Sequence, residues 1–384
     1  MKICILNVLH DALDKRMYHK IARSLSAAGH EIVSIAPPAA FAAGRNQAES
    51  GETSVRFVFT PAVHSFFGRL LTVLRLIRLG LREKATLYIA PEPESWVAAL
   101  LIKAATGRKV AFDMHEYVPG EFAKFFPSFL RPPMEKTTCR IMRLMGRASD
   151  LIILTRRSFE PLWSGIRTPR VVVINSNWLQ PACTAVPDAV RKIAGERPTV
   201  LHQGIFGEIR GSLQLLEAMK LVKEVLPEVR CLVLGRYVYG DESAYRQKIK
   251  ESGLEDTLLL LDEVPFEEVP AYISAVQVGL ILFQPGLRNH ELAMPHKLFD
   301  YMREGVPVIA PDFAVEVAHI VKETQCGLLV DVTSPDAIAD AVIRLLTNSD
   351  EAQRFGRHGR EAVESKYNWQ KDSAALVDAI AALE

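Results

Sequence analysis

The sequence predicts an α/β protein built from two Rossmann-like domains, each a doubly wound parallel sheet. Three observations carry this. Short apolar runs of strand length alternate with helical patterns along the chain, as βαβ units feeding a buried parallel sheet require. The alternation occurs twice, in two series of similar size separated by a proline-bearing stretch. A chain of 384 residues also exceeds what one ordinary hydrophobic core holds.

The first series opens with ICILNV, the polar loop HDALDKR, the helical pattern MYHKIARSLSAAG with Ile21, Leu25 and Ala28 on one face, and EIVSIA, which together make a parallel βαβ unit. Strands follow at Val55 to Phe59, Leu87 to Ala90, Val110 to Asp113, Leu151 to Leu154 and Val171 to Ile174. The first domain therefore ends near residue 178. Residues 179–197 carry two prolines and little periodicity, and read as a linker. The second series has strands at Thr199 to Gln203, Arg230 to Leu234, Thr257 to Leu261, Val278 to Phe283, Val306 to Ala310 and Gly327 to Val330, so its domain spans 198–366. Open α/β sheets bind ligands at their strand C-termini, which puts the expected site in a cleft between the two halves. The last stretch, 367–384, reads as a helix.

Composition narrows the function. An apolar content of 49% and a charged content of 24% are those of a globular protein, and a net charge of +1 supplies no global field for nucleic acid. Five cysteines at positions 4, 139, 183, 231 and 326 show no CxxC spacing, which argues for a reducing cytoplasm and against a disulfide framework or zinc site. The opening MKICILNV is too short for a signal peptide, and no apolar window is long enough to span a membrane. DxD is absent from the sequence, so no metal is expected.

The chemistry-bearing residues lie at strand and helix ends. In 295–310, PHKLFDYMREGVPVIA, Pro295 suits a first helical turn, the amides of His296, Lys297 and Leu298 are anion donors, and Asp300 follows within reach. Glu304-Gly305 then closes the helix. In LHQGIFGEIRGSLQLLEAM, Gly204 permits close backbone approach and Arg210 can set a charge beside a phosphate. VAFDMHEY places Asp113, His115 and Glu116 at a strand C-terminus, and the loop after the first strand offers His10, Asp11 and Arg16 to an acceptor or phosphate.

The 295–310 segment resembles the PxKxFEYMxxGxPVI signature of family 4 retaining glycosyltransferases of the GT-B fold, the glycosyl transferases group 1. The resemblance covers almost the whole chain and is strongest over 199–331. It implies two Rossmann-like domains facing a cleft, a last helix crossing back to the first domain, and a UDP-linked nucleotide-sugar donor that is a substrate, with no cofactor. It gives Asp300 the ribose hydroxyls, and Arg210, Lys297 and the helix amides the diphosphate. Val264 and Pro265 line the base, and Asn289 with Ala293 and Met294 lies toward the sugar. His115 acts near the anomeric centre. The chain departs from the family at two places. Ile205 stands at the family's arginine and Arg210 at its lysine, and Glu291 falls one position away from the expected first glutamate, which lands on Leu292.

Two stretches suggest a membrane-held acceptor. In 65–84, Leu70, Leu74, Ile77 and Leu81 form one helical face and Arg75, Arg78 and Arg82 another. In 122–147, four phenylalanines precede Lys136, Arg140, Arg143 and Arg147. The expected activity is metal-independent transfer with retention from a UDP-sugar, less readily a GDP- or ADP-sugar, to a glycan or lipid-linked acceptor in cell-surface polysaccharide synthesis. The expected location is cytoplasmic, with peripheral attachment to an anionic membrane. A non-hydrolysing UDP-sugar epimerase and a weakly active partner subunit are the alternatives.

Overall fold

The computed structural model describes residues 1–38, 55–63, 66–183, 186–194 and 197–384. Two compact units divide the chain, Met1–Ile174 with Trp369–Glu384, and Asn175–Asn368.

In the first unit the strands are β1 (Lys2–Leu6), β2 (Glu31–Ala36), β3 (Val55–Phe59), β4 (Leu87–Ala90), β5 (Lys109–Met114), β6 (Leu151–Leu154) and β7 (Arg170–Val172). They pair in the order β3-β2-β1-β4-β5-β6-β7, every pairing parallel. The strand order reverses between β1 and β4, which makes their C-terminal ends the switch point of the sheet. The interiors of β1, β2, β4, β5 and β6 are buried, and Trp96 stacks on Phe112 at 3.9 Å between ring centres beneath the helix Pro93–Thr106.

The second unit begins with β8 (Thr199–Gln203), β9 (Phe206–Gly207), β10 (Arg230–Leu234), β11 (Tyr237–Tyr239), β12 (Leu258–Leu261), β13 (Val278–Leu280), β14 (Val308–Pro311) and β15 (Gly327–Val330). Its main sheet runs β12-β10-β8-β13-β14-β15, with β9 and β11 as a separate parallel pair. The switch point here lies between β8 and β13. Leu215, Met219 and Val222 of the helix Ser212–Val225 bury one face of this sheet together with Ile338, Val342 and Leu345 of the helix Pro335–Thr347.

Several boundaries differ from the sequence reading, among them the end of β13 at Leu280 rather than Phe283. The first unit ends at Ile174 rather than near 178, and the described residues of the expected linker belong to the second unit. They carry the helix Asp188–Ala194, the Cys183 amide donates to Glu304 Oε2 at 2.8 Å, and the Gln180 carbonyl accepts from Arg360 at 2.9 Å. The strand expected from Val306 begins at Val308, because Gly305 sits at φ +70° closing the preceding helix and Pro307 follows it. The last helix, Trp369–Ala381, belongs to the first unit: the buried Trp369 donates its indole N–H to Ser24 Oγ at 2.8 Å, and Leu376 and Ile380 are buried.

The helix Phe66–Glu83 packs by the face opposite to the expected apolar one. Thr72, Val73, Leu76 and Gly80 are buried, while Leu70, Leu74 and Leu81 are exposed alongside Arg75, Arg78 and Arg82. Gly80 decides this, since an added Cβ there would lie 2.7 Å from Ile102 Cδ1. Ser65, the first residue of that stretch, lies outside the described residues.

Gly279 in β13 is packed against Tyr301, whose ring would lie 2.5 Å from an added Cβ. The Tyr301 hydroxyl donates to the Leu201 carbonyl at 2.8 Å and accepts from the Gln203 amide at 3.2 Å, so the ring pins the helix His296–Arg303 to the end of β8. Gly279→Ala should therefore lower stability by about 1–3 kcal/mol, the ordinary cost of overpacking, as read from urea midpoints. An unchanged midpoint would show that Tyr301 moves freely.

Candidate active site

The second unit collects positive charge at its switch point. Strand β8 ends in His202 and Gln203, and the chain then turns at Gly204 with φ +86°, its amide donating to the Leu234 carbonyl at 2.8 Å. Gly211, also at φ +86°, opens the helix Ser212–Val225; an added Cβ would lie 2.4 Å from the Leu282 carbonyl oxygen, so only glycine lets the turn lie against β13. Between the glycines, Arg210 places its guanidinium 5.9 Å over the Tyr239 ring, and its buried Nε has no hydrogen-bond partner. Ile205, at the family's arginine position, is exposed.

Across from this turn, the helix His296–Arg303 starts from Pro295, which caps it in extended conformation rather than forming its first turn. Lys297 Nζ lies 3.2 Å from His202 Nε2. Burial and then the charge of Arg210 push the Lys297 pKa down to about 7, against the opposing pull of Asp300. His202 is held far below the ordinary imidazole value by burial and by the charges of Lys297 and Arg210, so it is neutral and its Nε2 accepts from Lys297. Of the three amides expected to receive an anion, that of Leu298 is spent on the Pro295 carbonyl at 3.2 Å. The Leu298 side chain is buried in the core and offers nothing to a ligand.

Asp300 is buried, and both carboxylate oxygens face donors within the unit. Asn177 Nδ2 donates to Oδ1, and Gln203 Nε2 donates to Oδ2 at 3.0 Å. Asn175 and Asn177 lie just after the chain enters this unit, and Asn175 receives His296 Nδ1 on its carbonyl at 3.0 Å while its side-chain amide reaches the Met294 carbonyl at 3.5 Å. Asn289 sits in the short helix Arg288–Glu291, where Glu291 is engaged by Arg288 at 2.6 Å. Val264 and Pro265 follow β12 at the sheet edge, the first half-buried and the second exposed.

The first unit holds a different cluster. The amides of Val8, Leu9 and His10, which leave β1 at its switch point, converge on the Glu92 carboxylate at 2.9–3.2 Å. Glu92 itself caps the helix Pro93–Thr106 in a reciprocal box with Ser95. His10 Nδ1 meets Asp14 at 3.1 Å and its Nε2 meets His115 Nε2 at 2.8 Å, while His115 Nδ1 faces Asp113 at 3.5 Å. Asp113 and Arg16 were expected to face a ligand. Instead they are buried in a bidentate pair at 2.7 and 2.8 Å, which holds the Asp113 carboxyl well below the usual carboxylate range despite its burial. Asp11 turns inward to accept the Leu13 amide at 2.9 Å, and Glu116 is exposed. Burial alone would depress His10, but Asp14, Glu92 and Asp113 outweigh it and raise its pKa to about 9.

Sequence reasoning missed Asn177, His202, Gln203, Glu92 and Asp14. Gln203 and His202 directly precede Gly204 at a strand tip, a position that could have flagged them, and Asp14 lies four residues after His10; Asn177 and Glu92 are brought in by long-range contacts with no local signature.

Both units are parallel-sheet α/β domains, and solved structures share this fold. Sucrose-phosphate synthase from Thermosynechococcus elongatus matches with a TM-score of 0.75 at 16% identity over 100% of this chain and 99% of its own. Anabaena HepE, solved with UDP, matches with a TM-score of 0.76 at 14% identity over 100% of both chains. The protein has the GT-B fold. Residues 188–362 match the model of the family described as Glycosyl transferases group 1, and the protein is a glycosyltransferase. Phosphatidyl-myo-inositol mannosyltransferase of Mycobacterium leprae is 27% identical over 316 residues, 82% of this chain and 75% of the relative. The GDP-mannose-dependent alpha-(1-6)-phosphatidylinositol monomannoside mannosyltransferase of Mycobacterium tuberculosis is 28% identical over 189 residues, 48% of this chain and 47% of that protein, so the chain matches about half the length of that relative.

The raised His10 pKa fixes the sign of a pH effect. Since the folded value of about 9 lies above the reference 6.5, the stabilisation is full below about pH 6.5 and is lost as pH rises through about 9. His10→Gln should flatten stability across that window, measured by denaturant midpoints at several pH values. Identical slopes in variant and wild type would assign the titration to another group.

Proposed function

We propose that this glycosyltransferase moves a sugar from a nucleotide diphosphate to a glycan or lipid-linked acceptor, with retention of configuration, without a metal, and in cell-surface polysaccharide synthesis. The preferred donor is a UDP-sugar, with a GDP-sugar second. The observation that carries the reading is the switch point of the second unit, where Arg210, Lys297 and a helix N-terminus concentrate positive charge, with the buried Arg210 Nε unpartnered. Such a site matches a leaving diphosphate, whose negative charge grows as the glycosidic bond breaks. Among the described residues no group of His, Cys, Asp or Glu side chains is arranged to hold a metal ion, and the protein cations take the stabilising role in this proposal.

In the proposed route the bond from the anomeric carbon to the phosphate oxygen breaks on the same face that the acceptor hydroxyl enters. The departing phosphate oxygen takes the acceptor proton, while Arg210 and Lys297 stabilise the diphosphate. The Asp300 carboxylate, steadied by Asn177 and Gln203, accepts from the ribose hydroxyls. His115 serves the transfer step and not nucleotide binding. The mycobacterial relatives named above support GDP-mannose as the second donor and a lipid-linked acceptor.

An anionic membrane is the proposed location of that acceptor. No helix among the described residues is long and apolar enough to cross a bilayer. The first unit nevertheless exposes Phe125 and Phe129 at 83% and 76%, followed along the helix Arg131–Ala148 by exposed Lys136, Arg140, Ile141, Leu144 and Arg147. Arg143 of that series is instead turned in, donating to the carbonyls of Leu162 and Ser164 at 2.6 Å. The exposed leucines and arginines of Phe66–Glu83 form a second patch of the same character.

Asp300→Ala should weaken UDP binding by about 1–3 kcal/mol in calorimetry on folded protein, the range for hydrogen bonds to a charged group. Unchanged affinity would remove Asp300 from the nucleotide site. The wild-type protein should sediment with anionic liposomes at low salt, stay free with neutral ones, and be released at high salt. Failure to sediment in every condition would leave a soluble glycan as the acceptor.

A further inference from the structure

In the first unit the Nε2 atoms of His10 and His115 lie 2.8 Å apart, with the ring planes at 73°. At that distance two N–H groups would collide and two bare lone pairs would repel, so a single hydrogen stands between the rings. Each ring turns its other nitrogen to a carboxylate, His10 Nδ1 to Asp14 at 3.1 Å and His115 Nδ1 to Asp113 at 3.5 Å. Asp113 is buried and held as an anion by Arg16, and the buried His115 Nδ1 has no nearer partner. A lone pair there would face negative charge, whereas an N–H meets it. Both Nδ1 atoms therefore carry hydrogen. With the one between the Nε2 atoms, the two rings hold three protons and one positive charge.

We propose that His10 is a positioning residue for His115, and that their Nε2 atoms hold a single proton that makes the pair one cation rather than two independent imidazoles. This deepens the reading that gives His115 the transfer step, and rests on it. The charged groups facing the pair decide where the proton sits. Asp14 at 3.1 Å and Glu92 at 4.0 Å stand beside His10, Asp113 with its partner Arg16 stands beside His115, and Arg156 donates to the His115 carbonyl at 2.6 Å. Two carboxylates, set against one already neutralised by a guanidinium, put the proton on His10. His115 Nε2 is then an acceptor on a ring fixed at both ends, by Asp113 and by His10, and on a backbone held by Arg156. The His10 N–H fills the place of a sugar hydroxyl donating to that nitrogen, and so keeps His115 in the tautomer that receives one.

Burial opposes charge on His10, but Asp14, Glu92 and Asp113 outweigh it and raise its pKa to about 9, in agreement with the geometry. The pair is charged below that value and loses its charge as pH rises through it. Because the rings have this proton in common, its loss is one event that both report. Independent imidazoles would report two.

Long-range nitrogen–proton NMR of protein isotopically labelled in its histidines, assigned through the backbone, reads which ring nitrogens carry hydrogen. In the wild type at neutral pH both Nδ1 atoms should be protonated, His10 Nε2 with them and His115 Nε2 bare, and raising the pH through about 9 should move both Nε2 signals in one step. In His10→Ala that step should vanish from His115, and turnover of a UDP- or GDP-sugar should fall by about tenfold or more with nucleotide affinity unchanged. Protons on both Nε2 atoms, on neither, or two separate steps in the wild type overturn the proposal. So does a His115 signal that keeps its step, or a turnover that is undiminished, in folded His10→Ala. Should His10→Ala not fold, the wild-type count decides. The count needs no substrate, which separates the two ways of failing: full turnover in folded His115→Ala removes the transfer step from His115, and the positioning role of His10 with it.

Discussion

The second unit's site is organised around one buried carboxylate. Asp300 joins the segment entering the unit, the tip of β8 and the helix His296–Arg303 through a single group, by way of Asn177 and Gln203. A carboxylate withdrawn from water is tolerated only when donors surround it, so its burial fixes the positions of both amides. Tyr301, next in sequence, repeats the tie to β8 from the other side of the backbone. The two together set where Lys297 lies relative to His202.

The two sheets treat the same topological feature in opposite ways. Each reverses strand order once and so opens a crevice at its strand C-termini. In the first unit that crevice is closed by the protein's own anion, since Glu92 takes the amides of Val8, Leu9 and His10. No glycine occurs between residues 8 and 28, and a loop with full side chains is better matched to a fixed internal carboxylate than to a mobile phosphate. In the second unit the glycines are present, the turn approaches Leu282 just after β13 closely at Gly211, and the buried Arg210 Nε and His202 Nδ1 have no hydrogen-bond partner.

Strand identity and the parallel architecture were legible in the sequence because buried parallel strands are continuous apolar runs bounded by turns. Leu87–Ala90, Leu151–Leu154 and Thr199–Gln203 fall where the pattern put them. Helix faces were less legible. The stretch 70–81 carries apolar residues on two sides, and only the close approach of Ile102 to Gly80 selects the inner one. Within the site, motif positions such as Arg210, Lys297 and Asp300 could be named from local sequence. Their partners could not: Asn177 is 123 residues from Asp300 and His202 is 95 from Lys297, distances over which no periodicity speaks. The same limit turned Arg16 and Asp113 from expected ligand contacts into a buried pair 97 residues apart.

The return of the last helix to the first unit has a consequence for synthesis. Trp369 lies against Ser24, with the Lys20 ammonium 5.4 Å from its ring centre, so the first unit's opening helix lacks part of its packing until the chain terminus is made. The second unit is contiguous, from Asn175 to Asn368, and needs nothing that comes later. Emergence from the ribosome therefore delivers the later-encoded unit complete first, while the earlier-encoded one waits for its final helix. A truncation at the C-terminus would injure the domain encoded at the N-terminus.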